Sequence, residues 1–232
     1  MNLPTSGEKA RYVESMFDRI AGRYDLMNRL MTFGADRGWR RVTVEAAGIA
    51  PGVRVLDLGC GTGDLCRDAS VRGAEVVGLD PAARMIEIAT GRAPDCRFVR
   101  AHGEALPFEN GSFDAVVTGF ALRNFSDVDA VLTECARVLR PGGRIAILEV
   151  DVPRSRLLRT GFDVYFRGVV PLLGRVVSDG TAYSYLAKSL AYLPDEERLA
   201  VSLQRAGFFS VTKRRLLGGA AQLVHARKAY RA

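Results

Sequence analysis

From residue 8 to residue 31 apolar side chains recur at helical spacing (Val13, Met16, Phe17, Ile20) with no proline between them, which predicts a long amphipathic helix. A second helix is expected from Asp36 to about Ala47, ended by Gly48 and Pro51. At residue 53 the period changes. Apolar runs of strand length stand at 53–58 (VRVLDL), 74–80 (AEVVGLD), 96–101 (CRFVRA), 113–119 (FDAVVTG) and 143–150 (GRIAILEV), separated by helical segments at 63–72, 82–91 and 127–139. Near-continuous apolar strands alternating with helices through short turns build a parallel sheet covered on both faces. After Val150 the alternation stops, and residues 155–190 read as helices rich in Leu, Val, Tyr and Phe. A last helix at 195–206 leads into FFSVTKRRL (208–216) and AAQLVHARK (220–228), an antiparallel hairpin at the sheet edge around Gly218-Gly219. The pattern predicts an α/β fold: a doubly wound, mostly parallel seven-stranded sheet, Rossmann-like, with an N-terminal helical cap and a helical insertion before the last strands. A single domain is expected over 1–232, divided into a cap (1–50), a first sheet half (51–150), an insertion (151–195) and a C-terminal helix with edge hairpin (196–232).

Composition narrows the function classes. At 232 residues the chain suits one domain, and its 48% hydrophobic and 25% charged residues are ordinary for a globular protein. No basic stretch precedes an apolar one at the N-terminus, and the longest apolar stretch (169–177) is broken by Pro171, Gly174 and Arg175, so a cytoplasmic protein is expected. Cys60, Cys66, Cys96 and Cys135 show no CxxC pair, and with only His102 and His225 available no metal is expected. The net charge of +7 is spread out, with 29 of 33 basic residues being Arg, and no aromatic-basic signature for nucleic acid is present. The densest basic region, 154–175, sets Arg154, Arg156, Arg159, Arg167 and Arg175 against Asp163 and interleaves them with apolar side chains. That fits peripheral contact with an anionic membrane surface, or equally a solvated helix face.

The loop VLDLGCGTGDLC (55–66) follows a buried strand and opens a helix, the context in which a glycine fingerprint carries meaning. Its glycines, Gly59, Gly61 and Gly63, give GxGxG, and the position where a dinucleotide fingerprint needs glycine holds Asp64. An acid in the first helical turn repels a pyrophosphate and suits a cofactor bearing an ammonium and a sulfonium. Asp57 adds a second negative charge, and the pair favours S-adenosylmethionine. Asp80 closes the second strand 21 residues after Gly59, where a carboxylate can accept from ribose hydroxyls or serve as a helix N-cap.

VLDLGCGTGDL, GEALPFENGSFD and RVLRPGGRIAILE together resemble class I S-adenosylmethionine-dependent methyltransferases. Three narrower stretches, FDRIAGRYDLMNRLMTFGADRGWRR (17–41), GFALRNFSD (119–127) and AYSYLAKSLAYLPD (182–195), are similar to the ubiquinone/menaquinone biosynthesis C-methyltransferases. The likeness covers residues 12 to past 215. It implies cofactor contacts at Thr62, Asp80, His102, Gly103 and Gly119, completed by Asp57 and the loop glycines, with His102 and Gly103, in the turn after the third strand, beside the adenine and Leu106 or Phe108 as its apolar cover. It departs from the family after Glu149, where the chain reads Val150-Asp151-Val152-Pro153, and in the last strand, where LVHAR displaces His225 by one place.

The resemblance implies methyl transfer to a ring carbon of a lipophilic polyprenyl quinol, most like demethylmenaquinol. Ring carbon becomes nucleophilic when a neighbouring hydroxyl ionises, so such a site must align the acceptor and stabilise a phenolate. Arg123, always protonated, suits the cation facing that phenolate; Asn124 could orient a hydroxyl or water, and Tyr24 could close over the sulfonium or bond the ring. Each has a plainer reading: Arg123 paired with Asp25 or Asp127, Asn124 capping the helix near Asp127, Tyr24 packing the cap. The insertion offers Leu157, Leu158, Phe162, Tyr165, Phe166, Val169, Val170, Leu172 and Leu173 for a polyprenyl channel resting on the inner face of the membrane, or for a small core. A methyltransferase of another phenolic or isoprenoid metabolite, a nucleotide-dependent oxidoreductase and a non-catalytic scaffold are the rivals; oligomeric state, a homodimer included, stays open.

Overall fold

In a computed structural model describing residues 6–170, 172, 182, 185 and 188–230 (backbone alone at Ser6, Gly7 and Arg167), the strands are β1 (Arg54–Leu58), β2 (Glu75–Asp80), β3 (Arg97–Arg100), β4 (Phe113–Gly119), β5 (Leu139–Val150), β6 (Phe208–Leu216) and β7 (Ala221–Lys228). They form one sheet in the order β3-β2-β1-β4-β5-β7-β6, parallel throughout except that β7 runs antiparallel to β5 and β6. The helices around it are α1 (Ser6–Thr32), α2 (Asp36–Ala46), α3 (Asp64–Ser70), α4 (Ala83–Arg92), α5 (Val128–Val138), α6 (Arg156–Val164) and α7 (Glu196–Arg205). The strand order reverses between β1 and β4, so the loops at their carboxyl ends open the crevice where such sheets bind ligands.

Two cores follow from the two-residue period of the strands. Leu56 and Leu58 join Val116, Ile145, Leu132 and Leu203 on one face, while Val55 joins Val44, Cys66, Ala69 and Val117 on the other. Asp57 lies in phase with Val55 and therefore enters that second apolar layer. Strand β5 begins four residues before the expected 143: Leu139 pairs with Phe113, and regular pairing resumes only at Arg144 opposite Ala115. The bulge holds Pro141 and Gly142 (φ 76), residues that read as a turn and conceal the strand.

Helix α1 is a lid along the carboxyl edge. Val13, Met16, Ile20 and Met27 cluster with Val170, Ala182 and Tyr185 of the insertion, and Ala21 rests on Ala82 and Met85 at the start of α4. A polar seam runs beside these contacts. Glu14 pairs with Arg100 at 2.7 Å, Asp18 accepts from the Arg84 amide at 2.9 Å, and Asp25 accepts from Thr62 at 2.6 Å. Asp18 thus caps α4 from another helix; the residue at the cap position itself, Ala82, has no side-chain acceptor. After α6 the chain widens into a π turn at Tyr165–Val169. Leu173 and Arg175, expected in the insertion, lie outside the described residues.

Candidate active site

Two cavities meet at the carboxyl edge, sharing Tyr24, Gly59, Gly61, Gly119 and Phe120. The smaller, about 70 Å³, is bordered by Asp80, Met85, His102, Gly103, Phe125 and Ser126, and takes the shape of a nucleoside recess beneath α1. The larger, about 190 Å³, begins at Asp57, Thr62 and Arg123 and opens between Phe33, Phe162 and Phe166. The larger chamber is polar at its buried end, at Asp57, Thr62 and Arg123, and aromatic at its mouth. The expected N-terminal cap lies over both cavities, with Tyr24 of α1 bordering each.

The loop after β1 takes its shape from glycine at two positions in particular. Gly59 has φ 69, and a Cβ there would lie 2.6 Å from the Ala121 Cβ, so the loops after β1 and β4 touch only because that atom is missing. Gly63 has φ 83 as α3 begins, and a Cβ would meet Ala89 at 3.1 Å. The loop is tied down by its neighbours: the Gly59 and Cys60 amides donate to the Leu79 carbonyl, and the Gly61 amide donates to Asp80 at 2.9 Å. The other oxygen of Asp80 accepts from the Ala82 amide at 2.9 Å. Asp80 therefore fixes the loop and the start of α4 while facing the smaller cavity. Burial pushes its pKa up to about 6 against those two amides, which favour the anion.

Asp57 stands out electrostatically. It is 1% exposed, accepts from the Cys66 thiol at 3.1 Å, and has no partner for Oδ1 among the described residues. Burial, with Asp80 and Asp64 nearby, pushes its pKa up to about 7. A buried carboxylate with one orphaned oxygen at a cavity wall suits a cationic ligand, which would supply the missing partner. In the smaller cavity the buried Ser126 hydroxyl is likewise without a partner. Both orphaned atoms fit the ammonium, sulfonium and hydroxyl groups of S-adenosylmethionine.

Asp64 does not play the part the sequence suggested. Arg40 of α2, 8% exposed, reaches it at 3.1 Å and also binds Asp36 and Asp68. Arg67, three residues on, also reaches Asp64 at 3.4 Å, so Asp64 is engaged by two arginines and the stronger case for a cationic cofactor rests on Asp57 and Asp80. The expected adenine cover also moves. Leu106 lies in the core and Phe108 packs edge-on to Phe113, whereas Met85 and Phe125 border the recess. His102 and Gly103 do border it; the His102 ring, half exposed, sits 3.7 Å from Glu14.

The segment after β4 begins with Phe120 at φ 58, a left-handed conformation that costs a bulky residue of order 1–3 kcal/mol. Its carbonyl turns toward the next residues and accepts from Arg123 Nη1 at 2.9 Å and from Asn124 Nδ2 at 3.4 Å. Arg123, 6% exposed, also donates to Ser189 at 3.1 Å and forms a buried pair with Glu149, not with Asp25 or Asp127. Among the described residues Nη2 has no hydrogen bond, and Arg123 borders the larger cavity. Asn124 accepts from Tyr185 at 3.5 Å and borders the smaller cavity; Asp127, not Asn124, caps α5 by accepting from the Ala130 amide. Tyr24, edge-on to Phe17, borders both cavities, and burial raises its pKa.

Glycine loop, acidic strand end and LRN turn thus converge on one edge. The model of the ubiE/COQ5 methyltransferase family matches residues 5–228. The chain belongs to the ubiE/COQ5 methyltransferase family. It is 43% identical to the demethylmenaquinone methyltransferase of Roseiflexus castenholzii over 96% of this chain and 95% of that one. It is 40% identical to the ubiquinone/menaquinone biosynthesis C-methyltransferase UbiE of Pseudomonas paraeruginosa, over 94% of this chain and 89% of that one. Among solved structures, a SAM-dependent methyltransferase of Thermotoga maritima superposes with a TM-score of 0.69 at 20% identity, over 93% of this chain and 99% of that one, which concerns the fold alone. As a member of this family the chain is an S-adenosylmethionine-dependent methyltransferase. Glu149, Asp25 and Arg40 lie inside the stretches that carry the resemblance, yet their roles escape a reading of the sequence because Arg123, Thr62 and Asp64 reach them only in the fold.

Proposed function

We propose that this methyltransferase C-methylates the ring of a polyprenyl quinol in quinone biosynthesis, with demethylmenaquinol as acceptor, and that residues 1–232 act as one domain. The observation that carries the reading is the larger cavity, whose floor presents Arg123 and whose mouth is aromatic. A quinol has the matching polarity: hydroxyls on a ring, then a long apolar tail. The names of the two curated relatives support the same acceptor class.

S-adenosylmethionine, when bound, supplies an electrophilic methyl group carried on a positive sulfonium. Asp57 and Thr62 would hold its amino-acid end, Asp80 its ribose, and His102, Gly103 and Ser126 its base, with Gly59, Gly61, Gly63 and Gly119 leaving room for it. Tyr24 and Phe120, shared by both cavities, wall the junction and exclude water from it. Arg123 holds its free Nη2 edge where an acceptor oxygen would develop negative charge, a preorganised cation worth more in a dry site than in water. Asn124, tied to Phe120 and Tyr185, orients the junction and leaves proton removal to another group.

The tail is read as leaving past Phe33, Phe162, Tyr165 and Phe166 toward an anionic bilayer surface. Phe33 packs on Tyr165 with ring centres 5.4 Å apart, and Leu30, Leu157, Leu158, Val164 and Leu217 are exposed. Exposed apolar side chains beside Arg156 and Arg159 suit contact with anionic headgroups. Among the described residues no helix is long and apolar enough to cross a membrane.

Labelled S-adenosylmethionine with a short-chain demethylmenaquinol tests the acceptor, and Arg123→Ala tests the site. The variant is expected to keep cofactor affinity while turnover falls about a hundredfold. Undiminished turnover would remove Arg123 from the mechanism, and failure of the wild type to methylate any demethylquinol would overturn the reading.

A further inference from the structure

We propose that Glu149 is a positioning residue that acts through Arg123, setting both the direction and the strength of the positive charge presented to the acceptor. The proposal rests on the phenolate reading above. Glu149 lies at the end of β5, 1% exposed, and does not border the cavity, so it cannot touch the acceptor. Its carboxylate binds Arg123 twice, through Nη1 and through the backbone amide at 3.3 Å, and also accepts from the Val150 amide at 2.8 Å. With Nη1 held by Glu149 and the Phe120 carbonyl, and Nε held by Ser189, the guanidinium plane is fixed, and Nη2, on a side chain that borders the cavity, is left without a hydrogen bond among the described residues. A saturated carboxylate at that depth serves as scaffold and counter-charge together.

The counter-charge has a measurable sense. The titratable and charged groups facing Arg123 are Glu149 of β5, Tyr24 of α1 and Tyr185 of the insertion, and the same cavity is bordered by Asp25 of α1, Asp36 and Arg40 of α2, Asp57 of β1, Asp64 of α3 and Tyr165. Tyr24 is itself a phenol at the cavity wall, and it feels the two partners oppositely: Arg123 favours its ionised form and Glu149 disfavours it. An acceptor hydroxyl in the same cavity meets the same opposed pair. Glu149 therefore tempers the pull of Arg123, holding hydroxyl ionisation at a higher pH than a bare guanidinium would.

Glu149→Gln keeps an oxygen for Nη1 and removes the charge. Its kcat profile is expected to show the acid limb displaced to lower pH by about one unit, with cofactor affinity unchanged. Glu149→Asp keeps the charge, shortens the reach by one methylene, and should lower kcat with the limb in place. The decisive comparison is Arg123→Gln against the Arg123→Gln/Glu149→Gln pair, in which no buried charge is left unpaired and folding is protected. If Glu149 acts through Arg123, loss of its charge moves the limb less in the Arg123→Gln background than in wild type. An equal movement in both backgrounds, or a Glu149→Gln limb coincident with wild type, overturns the proposal. Wild-type turnover of demethylmenaquinol is measured first, so that failure of the acceptor reading shows as no turnover and failure of this proposal as an unmoved limb.

Discussion

Binding of S-adenosylmethionine should release a proton, and Asp57 should be its main source. The carboxylate is buried with one oxygen unpartnered and titrates near 7 in the free protein. A cation beside it would favour the anion and return the pKa toward the ordinary carboxylate range. With a free-protein pKa of about 7, the dissociation constant should tighten about eightfold from pH 6 to pH 7.5 through Asp57, because only the ionised form binds well. Asp80, near 6, adds about a further twofold over the same window. Staying at or below pH 7.5 avoids the cofactor's own α-amine, which titrates near 8. Calorimetric titration in buffers of different ionisation enthalpy reads the affinity and the proton count together. Asp57→Asn should bind more weakly at pH 7.5 and flatten the profile to the part that remains. A wild-type profile no steeper than that of the variant would refute the reasoning. The same carboxylate bears on stability. Its folded pKa lies above the unfolded value, so stability falls as pH rises from about 4 to about 7 and stays low above, by an order of 4 kcal/mol. Asp57→Asn without cofactor should therefore melt several degrees higher at pH 7.5, and the gain should shrink toward pH 4.

Other outcomes follow from the packing. Gly59→Ala places a methyl 2.6 Å from the Ala121 Cβ at φ 69, so calorimetric melts should show a loss of about 1–3 kcal/mol and cofactor titration a weaker site. Asp18→Ala removes the cap that α1 lends to α4; the expected loss is about 1 kcal/mol, with faster amide exchange at 83–86 and faster cofactor release. Phe33→Asp, at an exposed position, should leave the fold intact and abolish co-sedimentation with anionic vesicles but not alter behaviour with neutral ones; unchanged co-sedimentation would detach the cavity mouth from the bilayer.

The parts of the fold set by local period were legible in the sequence. Strand ends at Leu58, Asp80 and Gly119 and the helix from Asp36 were placed within a residue or two, because burial on both faces leaves an apolar run that only strands of this length fit. The start of β5 was not legible, since a bulge with Pro141 and Gly142 reads as a turn. In the site, Asp57, Asp80 and the glycines were legible because the strand–turn–helix context fixes their place. Asp64 misled for a physical reason: the sequence shows its charge and the nearby Arg67, and only the fold brings Arg40 against it. The partner of Arg123 was hidden likewise. Nothing near GFALRNFSD hints at Glu149, 26 positions on, until β4 and β5 lie side by side.

Two buried carboxylates, on the strands that flank β4, therefore stand in opposite conditions. Glu149 has hydrogen bonds at both oxygens and a guanidinium against it, so it needs nothing from a ligand. Asp57 has an oxygen with no partner and a cavity before it, and its burial destabilises the free protein. A deficit of that kind is tolerable only where a bound group removes it, since an unpartnered buried charge otherwise costs several kcal/mol with no return. The saturated group builds the site, and the deficient one meets the ligand. That difference sorts their variants: loss of the Asp57 charge should strike cofactor affinity and raise stability, whereas loss of the Glu149 charge should spare affinity and move the pH at which the acceptor reacts.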